Sequence, residues 1–290
     1  MDPVAEAVRA WRRKGRVHRH RGHDVFFVDE PGAGEGVLVC IHGFPTSSFD
    51  WHRLWPALLA RYARLIACDL MGHGWSAKPR RYAYSIFDQA DLVEGLLRAR
   101  EVDRFDLLAH DYGDTVAQEL LARPQVAASI GAVCLLNGGL FPETHRARPI
   151  QRLLASPLGK LVSRLSTRRG FQHGLRAVFG ARTQPSQAEL DALWTILRHE
   201  DGHRLLYALV GYMAERRRHR ARWVGALVGA RVPIRVIDGA ADPVSGAHMV
   251  ARYRQLVPAP DCVELPGIGH YPQLEDPDAV IAALDAFRRR

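Results

Sequence analysis

The stretch "DLLAHDYGDTVAQELL", Asp106 to Leu121, decides the fold. An apolar run ends in the polar knot His110-Asp111-Tyr112-Gly113, and a helix-like pattern starts at once. Ala109 and Gly113 stand two residues before and two after Asp111. Small neighbours are what a strand needs when it turns directly into a helix and holds its central residue in a strained, projecting conformation. The Asp111 side chain would then stand clear of a sheet with a helix N-terminus behind it. An aspartate that merely caps the helix would look the same in isolation. The rest of the chain has to separate the two readings.

Working outward, short β-rich runs alternate with helical patterns. "HDVFFVDE", "GVLVCIHG", "RLIACDLMGHG", "RFDLLAHD", "GAVCLLNGG", "PIRVIDGAAD" and "CVELPGIGH" read as strands, and "IFDQADLVEGLLRAR" and "DAVIAALDAF" as helices. Such alternation predicts an α/β fold, a mostly parallel twisted sheet flanked by helices. From Gly139 to Gly225 the chain is helix-like and rich in Arg, with no strand pattern. We therefore assign 1–138 and 226–290 to an α/β core and 139–225 to an inserted helical lid. It would lie over the carboxyl edge of the sheet, where open α/β sheets bind ligands.

Two later turns carry matching chemistry. "GAADPVS" puts Asp242 at the end of one strand, and "GIGHYPQLEDP" puts His270 after the next. The order nucleophile, acid, histidine is that of an α/β-hydrolase fold. A histidine takes a proton from water efficiently when an acid fixes its tautomer and stabilises the imidazolium. Asp238 competes for that role, but it falls within the strand pattern and should point elsewhere. "HGFPTSS" adds a tight turn after a buried strand. It frees the backbone N–H of Phe44, which with that of Tyr112 would form an oxyanion hole. Losing one such donor typically costs about 2.7–4 kcal/mol in barrier height. His42, His73 and His110 near these turns read as structural hydrogen-bonding groups.

A carboxylate in place of serine changes the substrate. Attack on an acyl carbon would give an anhydride, whereas attack on a saturated carbon bearing a leaving group gives an alkyl ester that water can cleave. Asp111 therefore points to epoxides or alkyl halides. Such a cycle needs only water, so neither a cofactor nor a metal is expected.

Composition limits the partners. The formal net charge is +9, with seven Arg/Lys against two acids in residues 1–22, further clusters at Arg216–Trp223, and Arg288–Arg290 at the end. Nucleic-acid motifs and interleaved stacking aromatics are missing, so no nucleic-acid partner is expected. The basic N-terminus suits at most a weak peripheral contact with an anionic membrane. The three basic clusters read mainly as solvated faces. Cys40, Cys68, Cys134 and Cys262 have no metal-ligand spacing and read as small buried hydrophobes. No apolar stretch reaches the roughly 18–20 residues of a membrane span, and the N-terminus lacks a secretory core. A cytoplasmic protein acting on a small apolar molecule is expected.

"HGFPTSSFDW", "YSIFDQA", "HDYGDTVAQELL", "NGGLFPETHR", "ARWVGAL" and "HYPQLEDP" together resemble the α/β-hydrolase superfamily, in its epoxide hydrolase and haloalkane dehalogenase branch. More narrowly, they resemble the mesoderm-specific transcript protein family. The resemblance implies Asp111 as nucleophile, His270 as base and Asp242 as its partner. Haloalkane dehalogenases clamp the halide with a Trp after the nucleophile and an Asn or Trp partner; here those positions are Tyr112 and Phe44. Fluoroacetate-cleaving members carry arginines beside the nucleophile, where Asp114 has the wrong sign and reads instead as an acid favoured by the helix dipole. Epoxide hydrolases need lid tyrosines as proton donors, and Tyr207 and Tyr212 are the candidates. Trp194 is a further lid residue for substrate contact and, with Trp223, an alternative halide donor. The leading expectation is epoxide hydrolysis; the alternatives are dehalogenation, ester or lactone cleavage, and a ligand-binding or scaffold protein built on the hydrolase fold.

Overall fold

The runs VLVCI, RLIAC and IGAVCLL are apolar at successive positions because both faces of their sheet are covered. The computed structural model describes residues 2–289. Its eight strands are β1 (Arg16–His20), β2 (His23–Pro31), β3 (Val37–Ile41), β4 (Arg64–Cys68), β5 (Phe105–His110), β6 (Ile130–Leu136), β7 (Ile234–Gly239) and β8 (Asp261–Leu265). They form one sheet in the order β1-β2-β4-β3-β5-β6-β7-β8. β2 is antiparallel to β1 and β4, and all other pairs are parallel. The chain leaves β3 for β4 on one side and returns to β5 on the other. This is the switch point at which the carboxyl ends of β3 and β5 open a crevice.

Alternate strand residues feed two cores. On one face, Leu107 and Ala109 pack with Leu92, Val93, Val116 and Met249. On the other, Leu108 packs with Trp55, Val280, Leu284 and Trp11. The basic N-terminus forms the helix Pro3–Lys14, which buries Trp11, followed by β1. The strand RVHRH was not separated from this basic run by its sequence, because an exposed edge strand keeps polar side chains.

Among the described residues, no strand lies between β6 and β7. That excursion holds the helices Pro149–Leu154, Gly159–Arg164, Arg168–Arg176, Gln187–Arg198 and Tyr212–Arg218. The boundary drawn at 225 falls inside the next helix, Arg220–Val228. Its Trp223 joins the sheet-covering core and donates from Nε1 to Glu119 at 2.9 Å, so the layer over the sheet resumes at Arg220. Cys40, Cys68 and Cys134 are buried free thiols, while Cys262 is only partly covered. No described helix is long and apolar enough to cross a membrane.

Candidate active site

β5 ends at His110, and the helix Tyr112–Leu121 begins two residues later, so Asp111 makes the whole turn. Its backbone sits at φ 46°, ψ −101°, a sparsely populated conformation that stores on the order of 1–3 kcal/mol. Gly113 is required for the same turn, since a Cβ there would lie 2.3 Å from the Ile41 carbonyl oxygen on β3. The strained turn aims the Asp111 carboxylate into a cavity of about 600 Å³.

His270 enters from the loop after β8 and Asp242 from the loop after β7. His270 Nδ1 donates to Asp242 Oδ2 at 2.7 Å, and Nε2 lies 4.0 Å from Asp111 Oδ2. Asp242 is fixed by the amides of Val244 and Ser245, the Ser245 hydroxyl, and the Asn137 amide at 3.0 Å. Burial would raise the Asp242 carboxyl, but His270 and these donors hold it down at about 2. Asp238, the competing acid, lies in β7 with no hydrogen-bond partner on either oxygen. Burial and the Asp242 charge push it up to about 9, so it is protonated at neutral pH. The structure thus brings Asp111, His270 and Asp242 together and leaves Asp238 out.

One of the two expected oxyanion donors faces the carboxylate. The Phe44 amide donates to Asp111 Oδ2 at 3.1 Å. The Tyr112 amide lies in the first turn of its helix, where N–H groups have no intrahelical partner. Burial keeps His42, His73 and His110 neutral. Each meets a backbone group, as when the Leu70 amide donates to His42 Nε2 at 3.0 Å.

Three sequence-based expectations need correction. Asp114 is not a solvent-facing acid balanced by the helix dipole. It is fully buried, and burial together with the Asp111 charge raises its pKa well above the carboxylate range. Neither lid tyrosine takes a place in the cavity wall: Tyr207 is half-buried, with its amide bonded to Ser163 Oγ at 2.9 Å, and Tyr212 is fully buried. The cluster Arg216–Trp223 is a solvated face only at Arg217 and Arg218, for Arg220 pairs with Glu143, Arg222 with Glu119, and Arg216 is buried.

Arg216 is the functional residue that sequence reasoning missed. Its Nη2 donates to the Asp111 carbonyl at 2.8 Å and lies 3.6 Å from Oδ1, while Nε donates to Thr115 Oγ1 at 2.7 Å. Burial acts to raise the Asp111 carboxyl, but the charges of His270 and Arg216 outweigh it and hold it below the ordinary carboxylate value. The available signal was spacing: Arg216 follows Tyr212 by four residues on one helix, which places both on the same face. The guanidinium covers the Tyr212 ring, 4.5 Å from its centroid.

Tyr212 is fully buried against Phe44 and Tyr112, and its hydroxyl accepts from Gln151 Nε2 at 3.5 Å. Gln151 and Trp194 both line the cavity, whereas the Trp223 indole N–H is committed to Glu119. No group of three or more His, Cys, Asp or Glu among the described residues is arranged to hold a metal ion.

Residues 38–283 match the model of the alpha/beta hydrolase family. The human mesoderm-specific transcript homolog protein is 41% identical over 98% of this chain and 88% of its own length. Haloalkane dehalogenase 2 of Mycobacterium tuberculosis is 26% identical over 93% of this chain and 91% of its own. Among solved structures, the haloalkane dehalogenase DatA from Agrobacterium tumefaciens C58 superimposes with a TM-score of 0.80 at 20% identity. That match covers 95% of this chain and 96% of DatA, a likeness of fold.

Proposed function

The chain belongs to the alpha/beta hydrolase family and to the mesoderm-specific transcript group within it, and from that premise we propose that it hydrolyses a small apolar epoxide, or a related electrophile at saturated carbon, through an ester on Asp111. One observation carries this reading: the residue on the strained turn, facing both the cavity and His270, is a carboxylate. In the first step an Asp111 oxygen bonds to a ring carbon and the ring C–O bond breaks. The opening oxygen takes a proton from the Tyr212 hydroxyl, which burial keeps neutral and which is hydrogen-bonded to the wall residue Gln151. In the second step His270 removes a proton from water, which attacks Asp111 Cγ. The Phe44 and Tyr112 amides hold the resulting oxyanion. The ester bond at Cγ then breaks, the departing oxygen takes the proton back from His270 to release a diol, and the proton left on the Asp111 carboxyl returns to the Tyr212 phenolate. The excursion between β6 and β7 acts as a lid, and Trp194 with Gln151 contacts the substrate.

Halide displacement is the less favoured form of the same chemistry, since Trp223 is bound to Glu119 and Phe44 and Tyr112 offer no indole donor beside Asp111. The test is adduct trapping. A His270→Gln variant incubated with a panel of epoxides is expected to accumulate an Asp111 peptide heavier by the intact epoxide. Turnover that survives Asp111→Ala would overturn the covalent route.

A further inference from the structure

From Thr144 to Ala188 the chain carries nine Arg or Lys residues and not one Asp or Glu. The helices Pro149–Leu154 and Gly159–Arg164 fall within this segment. Their inner faces are satisfied, with Leu154, Gly159 and Ser163 buried. Their outer faces are nevertheless apolar. Ile150, Leu153, Leu158, Leu161 and Leu165 are 42–68% exposed, and Val17 is the one other large apolar side chain so exposed among the described residues. Leu158, Leu161 and Leu165 recur at i, i+3 and i+7, so they form one helix face. Clustered exposed leucines of this kind mark an interaction surface, because core packing gives them no reason to be apolar.

The charges around the leucines identify the occupant. Arg152, Lys160, Arg164 and Arg169 make no ion pair with any described residue. Most N-terminal cations differ: Arg9 and Arg13 pair with Glu6, Lys14 with Glu30, Arg19 with Asp24, and Arg21 with Asp88 and Asp91, leaving Arg12 and Arg16 as the unpaired ones there among the described residues. Exposed leucines interleaved along one segment with unpaired cations complement a bilayer bearing anionic headgroups, where leucines enter the acyl boundary and the cations meet phosphates. Residues of the same segment, Arg148, Ile150 and Leu165, also line the cavity that contains Asp111. The patch and the cavity are therefore continuous.

We propose that the outer face of residues 149–165 docks the protein on anionic lipid membranes. This contact lies on the helical excursion and is separate from the N-terminal contact that the charge distribution along the sequence suggested. It does not depend on which reaction Asp111 performs.

The experiment is co-sedimentation of the full chain with phosphatidylcholine vesicles, with and without phosphatidylserine. The wild type is expected to bind the phosphatidylserine vesicles at least about tenfold more tightly, with the preference shrinking as salt rises. Leu158→Ser/Leu161→Ser and Lys160→Glu/Arg164→Glu are each expected to weaken that binding about tenfold with unchanged thermal midpoints. None of these four residues lines the cavity or touches the catalytic groups. Arg12→Glu/Arg16→Glu should bind as the wild type does. Equal binding to both vesicle types would overturn the proposal. So would loss of binding in the N-terminal variant alone, or a lipid-free dimer that the leucine variants convert to monomer.

Discussion

At the residue scale, the chemistry turns on His270 and the charges around it. Burial alone would lower its pKa, but the charge and hydrogen bond of Asp242 and the charge of Asp111 raise it to about 9. The resting site therefore holds an imidazolium between two carboxylates, and Asp111 is ionised and ready to attack. Esterification cancels the Asp111 charge, so the imidazole releases its proton more readily just when a base is needed. In single-turnover kinetics, ester formation should be flat across neutral pH. Ester hydrolysis should rise with pH and level off at an apparent pKa below about 9. The same shift acts on stability: a raised pKa stabilises the fold fully below the ordinary 6.5 and is lost as pH climbs through about 9. The thermal midpoint should fall across that window, and fall less in His270→Gln. Arg216 acts on the other partner. Arg216→Met removes the neighbouring charge that keeps Asp111 ionised, so its acid limb should move to higher pH. Ester formation should slow roughly ten- to a hundredfold, each tenfold being about 1.4 kcal/mol, with partial recovery in Arg216→Lys. An unchanged acid limb would assign Arg216 a purely structural role.

At the element scale the decisive unit is the turn from β5 into the helix Tyr112–Leu121. A Cβ on Gly113 would meet the backbone oxygens of Ile41 and His42 at 2.3 and 2.8 Å, and strand backbone cannot move aside. Gly113→Ala should therefore cost on the order of 3 kcal/mol, measured by urea unfolding at constant m. A loss under about 0.5 kcal/mol would mean that the turn is less crowded than described. This element was legible because its signal is local: an apolar run, small residues at fixed offsets, then a helical period. The loops bearing Asp242 and His270 were readable for the same reason. Arg216 and β1 were not. The burial of Arg216 depends on a packing partner 105 residues away, and β1 is a short edge strand written in polar letters. Asp114 looked like an ordinary first-turn acid because its position in the sequence carries no trace of what covers it.

At the scale of the whole molecule, the helical excursion and the catalytic loop are tied through Glu275. Its carboxylate accepts from the Gly180 and Gly269 amides at 2.8 Å each, from the Tyr271 amide at 3.0 Å, and from the Thr183 hydroxyl at 2.5 Å. The His270 amide in turn donates to the Val178 carbonyl at 2.8 Å. Glu275→Ala would leave several donors unpaired, so a loss of about 2–4 kcal/mol in stability is expected. Activity should fall as well, because the loop that aims the imidazole is loosened; wild-type activity in a destabilised variant would uncouple the two. "HYPQLEDP" displayed Glu275 in the sequence, but its donors lie as far as 95 residues away, and local spacing could not supply them.

The central claim is that an oxygen of Asp111 ends up in the product. A single turnover of a matched epoxide with excess enzyme in ¹⁸O-labelled water tests it most directly. Attack by Asp111 gives an unlabelled diol and a heavy oxygen on the Asp111 peptide. A labelled diol with an unlabelled Asp111 would mean that water attacks the substrate itself, and would contradict it.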